Sequence, residues 1–146
     1  MEDRLFAAAM AVRRVLEGRE DFSGFPRGYC QGASRVLGLY LIKDLKIGPV
    51  EIVCNGERRL TELDEFEQPR CQSHAWLEVG GFLVDMTADQ FCDRLEPVIV
   101  TQDHSWHDQF QGQQRHAGSD ILESSPFVKE VYQRVADRIQ GLSNGT

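Results

Sequence analysis

The 146 residues are enough for one domain that buries roughly two thirds of its unfolded surface, so a core can hold without disulfide or metal staples. Sixteen basic against twenty-three acidic side chains leave a net charge of −7, which argues against a nucleic-acid surface, since such surfaces need clustered Lys and Arg. The cysteines at 30, 54, 71 and 92 form neither a C-x-x-C pair nor a regular framework, which excludes a zinc ribbon or disulfide scaffold and points to a reducing, cytoplasmic setting.

The apolar run from Leu5 to Val12 follows Glu2 and Asp3, where an export signal carries positive charge, and no segment approaches the ~18 apolar residues of a membrane span. Neither a nucleic-acid nor a membrane partner is expected. Leu5, Ala8, Ala9, Val12, Val15 and Leu16 recur at helical spacing and predict a packing helix over residues 3–17, with Gly18 as its cap. Pro26 and Gly28 then break regular structure. After them Ala33, Val36, Leu37, Tyr40 and Leu41 mark a second helix that opens at Cys30 and runs to about Lys46, before Gly48-Pro49. Gly32 and Gly38 weaken that helix by about 1 kcal/mol each relative to Ala, a cost that close packing against a neighbouring backbone would explain.

A thiol at the start of a helix meets first-turn amides and the positive end of the helix dipole, which favour the thiolate. The same stripe also accommodates Cys30 as a buried packing residue.

Val50 to Val53 alternates as a short strand, Asn55-Gly56 signals a turn, and residues 57–70 read as a charged, solvated excursion. Next, Ser73 to Val79 and Phe82 to Thr87 flank Gly80-Gly81, a two-residue link of the kind that closes hairpins. Another strand is expected over Val98 to Thr101, loop from His104 to Asp120, and a last helix from Ser125-Pro126, with residues 141–146 as a frayed tail. If Val79 pairs with Phe82, then His74, Trp76 and Glu78 share a sheet face with Leu83, Asp85 and Thr87, and His74 and Asp85 are diagonal neighbours about 7–8 Å apart. A bulge at the glycines would turn Asp85 to the other face. A buried carboxylate beside an imidazole fixes the tautomer and stabilises the imidazolium, and a cysteine completes a nucleophile, base and orienter set. Without Cys30, His74 and Asp85 fit equally well as an ordinary strand histidine and a strand-end aspartate.

Taken together, a cysteine opening a helix, His74-Ala75-Trp76-Leu77-Glu78-Val79 on one strand and Leu83-Val84-Asp85-Met86-Thr87 on the next resemble the core of the transglutaminase-like superfamily, a branch of the papain-like cysteine enzymes. The resemblance covers residues 25–91 and implies a catalytic triad of Cys30, His74 and Asp85. The stretch from Asp85 to Phe91 is similar to one in small bacterial proteins of unassigned activity. Arg27-Gly28-Tyr29-Cys30 resembles the cysteine segment of arylamine N-acetyltransferases, but the chain is shorter and carries no acetyl-CoA signature. The sequence departs from papain-type proteases in having no Gln or Asn from Asp21 to Tyr29, where those enzymes place an oxyanion donor.

The fold expected is α+β: one domain, residues 1–146, with an antiparallel sheet of about four strands packed against the Cys30 helix and covered by the terminal helices. The expected function is thiol-dependent acyl transfer on a peptide, protein or small amide substrate, hydrolysis ahead of transfer, with no cofactor and no metal. Tyr29, Gln31, Trp76 and Trp106 are the candidate substrate contacts, and Asp89 is the rival to Asp85 as orienting carboxylate. His104, His107 and His116 form only a weak metal signal. The alternatives are a transglutaminase or N-acetyltransferase using the same triad, and a binding module that keeps the fold without catalysis.

Overall fold

The chain is described by a computed structural model that covers all residues except Ser23, Arg27, 64–66, Gln68 and 145–146, and gives only the backbone of Asp21, 61–63, 69–70 and 143–144. Helix α1 spans Glu2–Glu17, with acidic residues in its first turn and Arg14 in its last, as the helix dipole favours. Leu5, Ala8, Ala9, Val12 and Leu16 form its buried stripe. Helix α2, Cys30–Leu39, continues as a π-helical turn over Tyr40–Asp44. The Cβ of an alanine at Gly38 would lie 3.1 Å from Ile121, so a side chain rather than a backbone sets that glycine, whereas Gly32 faces open space.

Five antiparallel strands follow: β1 (Val50–Leu63), β2 (Pro69–Val79), β3 (Phe82–Asp85), β4 (Ile99–Thr101) and β5 (Gln114–His116), in the order β4-β3-β2-β1-β5. The expected excursion at 57–70 is therefore mostly strand, and its described part extends β1 and β2 into a long hairpin. Its charges hid the pattern because they are paired: Arg58 is 7% exposed, clasped by Asp93 through bonds of 2.7 and 2.9 Å and laid on the rings of Phe91, Trp106 and Phe110. The expected loop after His104 also holds structure, because β5 pairs with Ile52 to Cys54 of β1 and helix α3 (Gly118–Leu122) follows. As an exposed edge strand β5 has no apolar alternation to read. Helix α4 runs from Pro126 to Asn144, so most of the expected tail is helical.

Gly80 and Gly81 both have positive φ, as a tight hairpin turn requires. They set Val79 opposite Phe82 and Leu77 opposite Val84, the register read from the sequence. Side chains alternate from there. Ile52, Leu77 and Val84 join the core beneath α1, α2 and α4, while Val53, Trp76 and Leu83 join a second cluster with Phe91 and Phe110. Among the described residues no helix is long and apolar enough to cross a membrane.

Candidate active site

His74 and Asp85 arrive from neighbouring strands on the face of the second cluster, and both side chains are 0% exposed. Asp85 Oδ2 accepts from His74 Nε2 at 2.6 Å, and Oδ1 accepts the Thr87 backbone N–H at 2.9 Å. Around the imidazole stand Phe91, Trp76, Phe110 and Trp106, with ring centroids 5.0 to 5.9 Å away. Burial disfavours the imidazolium, but the charge and hydrogen bond of Asp85, joined by the Cys30 thiol, outweigh it and raise the His74 pKa to about 9. Burial likewise opposes the Asp85 carboxylate, and His74 and His107 overcome it, holding its pKa well below the usual range. The pair is thus an ionised carboxylate beneath an imidazole that readily charges.

Cys30 is the first residue of α2 and half-buried. Gly28, with φ +79°, turns the chain into it, a backbone state that other residues adopt at a cost. Since Asp85 occupies Nε2, the His74 atom that remains for the thiol is Nδ1. The three residues paired by sequence reasoning therefore come together around His74, with Asp85 bonded at Nε2 and the Cys30 thiol close enough to help raise the ring's pKa. Of the candidate substrate contacts, Tyr29 is half-buried and stacked on Phe22 at 4.7 Å, and Gln31 is exposed with its side chain hydrogen-bonded to Cys54. Trp76 is buried at 1% exposure inside the second cluster, and its Nε1 has no hydrogen-bond partner. The half-buried Trp106 donates to Asp93 at 2.9 Å. Arg27 lies outside the described residues.

Asp89 is not the orienting carboxylate. Both its oxygens accept from Arg13 at 2.7 Å, and the same guanidinium donates to the carbonyls of Met86 at 2.8 Å and Pro97 at 2.7 Å. Burial works against the charged Arg13, and the carboxylates of Asp89 and Glu17 more than compensate and raise its pKa.

Two neighbours of the pair were not read as part of it. His107 Nε2 donates to Asp85 Oδ2 at 2.7 Å, so one carboxylate oxygen serves two rings, and His107 Nδ1 is buried without a partner. Gln90 places its Nε2 3.3 Å from His74 Nδ1. His107 comes from the polar stretch without period, where only its residue type hinted at a role. Gln90 lies five positions beyond Asp85 on the 3₁₀ turn Ala88–Gln90, and nothing in its spacing marks it.

His74, Asp85 and His107 are also the described residues that could hold a metal ion, with ligand atoms within 4.8 Å of one another. A cation there would require both Nε2 atoms to give up the protons that now bond Oδ2, leaving the His74 proton on Nδ1 facing the thiol. A groove of about 690 Å³ between α1 and α4, edged by Arg14, Arg19, Arg134 and Arg138, shares none of these residues.

No family model matches this chain, and no curated protein or solved structure matches it either. Its chemistry has to be read from the site itself.

Proposed function

We propose that this protein is a cysteine-dependent acyl-transfer enzyme of the transglutaminase-like, papain-like kind, acting on an amide, with water as the final acceptor. The observation that carries the reading is the two-sided use of His74, with Asp85 on Nε2 and Cys30 bearing on the rest of the ring. In the reaction His74 Nδ1, whose ring is readily protonated, holds the Cys30 proton as an ion pair, and the thiolate sulfur attacks the substrate carbonyl. The tetrahedral adduct collapses as His74 protonates the departing amine, leaving a thioester. Water, deprotonated by His74, then attacks the thioester and returns the thiol. Asp85 keeps the Nε2 proton in place throughout and offsets the charge of the imidazolium. Half-exposure of Cys30 gives water direct access, which favours hydrolysis over transfer to a second amine.

The test is alkylation by iodoacetamide at about pH 6, where ordinary thiols are almost wholly protonated. Cys30 is expected to label ahead of the more exposed Cys71 and Cys92, and to lose that advantage in His74→Ala. Slow labelling that follows exposure alone would remove the proposal. Complete burial of His74 and Asp85 favours a second reading, a non-catalytic module whose polar pair only specifies the fold. That reading requires the exposure-ordered result.

A further inference from the structure

We propose that Gln90 is a catalytic residue: its carboxamide N–H, together with the backbone N–H of Cys30, binds the oxyanion that forms when the Cys30 sulfur attacks a carbonyl. The inference rests on the acyl-transfer reading and supplies the side-chain donor that the segment before Cys30 lacks, since residues 21–29 contain no Gln or Asn.

The backbone half follows from helix geometry. Cys30 is the first residue of α2, so its N–H has no carbonyl to bond within the helix and lies next to its own sulfur. The side-chain half follows from the His74 contacts. With Nε2 committed to Asp85, Nδ1 is the ring atom left for the thiol, and Gln90 Nε2 stands 3.3 Å from that atom. Gln31 is nearer in sequence, but its side chain bonds Cys54.

Gln90 is also held. Its backbone N–H bonds the Thr87 carbonyl at 3.1 Å, and the preceding Asp89 is clamped by Arg13, which ties down Met86 and Pro97 as well. A donor fixed before reaction needs little reorganisation as charge develops, which is what makes such donors effective.

Protonation of the ring leaves the donor free. With its pKa raised to about 9, His74 carries a proton on Nδ1 near neutral pH, so Nδ1 is itself a donor and gives the Gln90 Nε2–H no acceptor. As the S–C bond forms and the carbonyl π pair moves onto oxygen, that N–H finds a charged acceptor there. When the adduct collapses, the pair re-forms the C=O bond, the C–N bond breaks, and the Nδ1 proton leaves with the amine. The neutral ring can then accept from Gln90 at 3.3 Å until it is protonated again.

Two probes on the full-length protein separate this role from simple support of His74, each read as the adduct at Cys30 by mass spectrometry. Iodoacetamide reacts by displacement at carbon and generates no oxyanion, whereas p-nitrophenyl acetate acylates the thiol through one. Gln90→Ala is expected to slow acetylation of Cys30 by about 100-fold and to leave alkylation within about twofold of wild type. The near-isosteric Gln90→Glu, whose carboxylate opposes an oxyanion, is expected to slow acetylation at least as much and carries the test where alanine disturbs the turn. Equal losses in both reactions, or no loss in either, would overturn the assignment while leaving the acyl-transfer reading intact. Wild-type Cys30 that reacts with neither probe faster than Cys71 and Cys92 overturns both.

Discussion

Replacing Asp85 with asparagine removes the charge that opposes burial at His74 and leaves the shape of the site almost unchanged. In the native protein burial pushes the ring pKa down, and Asp85 with Cys30 brings it from 6.5 up to about 9. By linkage that gap corresponds to about 3 kcal/mol of stability. The sign follows from the raised value: the contribution is fully present below the unfolded-state pKa of 6.5 and is lost as pH rises through about 9. In Asp85→Asn one amide oxygen faces three N–H groups, from Thr87, His74 and His107, and its NH₂ can accept from none of them. The ring then loses most of its elevation. Urea unfolding of both proteins between about pH 6 and about pH 10 should show the wild-type advantage shrinking by about 3 kcal/mol across the window, with histidine-ring NMR reporting the lowered titration in the variant. A wild-type advantage that does not change with pH, or no wild-type imidazole titrating well above its ordinary range, would refute the coupling of His74 to Asp85.

Arg13→Met fills similar volume but leaves Asp89 and the carbonyls of Met86 and Pro97 without their donor, and should lower stability by about 3 kcal/mol in denaturant unfolding; a loss below about 1 kcal/mol would show that the clamp is dispensable. His107→Phe takes one donor from the Asp85 carboxylate, whose low pKa makes a stability contribution that disappears on acidification, so the acid-unfolding midpoint followed by circular dichroism should move to higher pH. An unchanged midpoint would mean that His107 gives the carboxylate nothing.

Where residue pattern and local geometry coincide, the sequence was readable. Gly80-Gly81 admits a tight turn, the turn sets Val79 against Phe82, and the period of two carries Asp85 to the His74 face. The opening of α2 at Cys30 was readable for the same reason, because a breaker precedes an apolar stripe. The length of β1 and β2 was not. Arg58 reads as solvated in sequence, yet it is buried because Asp93 and three aromatic rings from distant segments receive it. β5 escaped because an edge strand exposed to solvent need not alternate. Gln90 and His107 escaped because side-chain reach across the fold, rather than spacing along the chain, brings them to His74 and Asp85. Asp89, the rival to Asp85, is committed elsewhere, and its partner Arg13 lies 76 residues away, beyond what spacing shows.

That clamp also orders events during folding. The bonds from Arg13 to Asp89 and Pro97 close loops of 76 and 84 residues, whereas the β2–β3 hairpin closes on two glycines. Contacts between distant segments meet their loop-closure entropy only after local ones have reduced it, so the hairpin can pair His74 with Asp85 before α1 fixes the turn that carries Gln90. On the proposed reading, the His74–Asp85 pair would form before the turn carrying Gln90 is fixed, so acylation of Cys30 would report whether the N-terminal helix has docked.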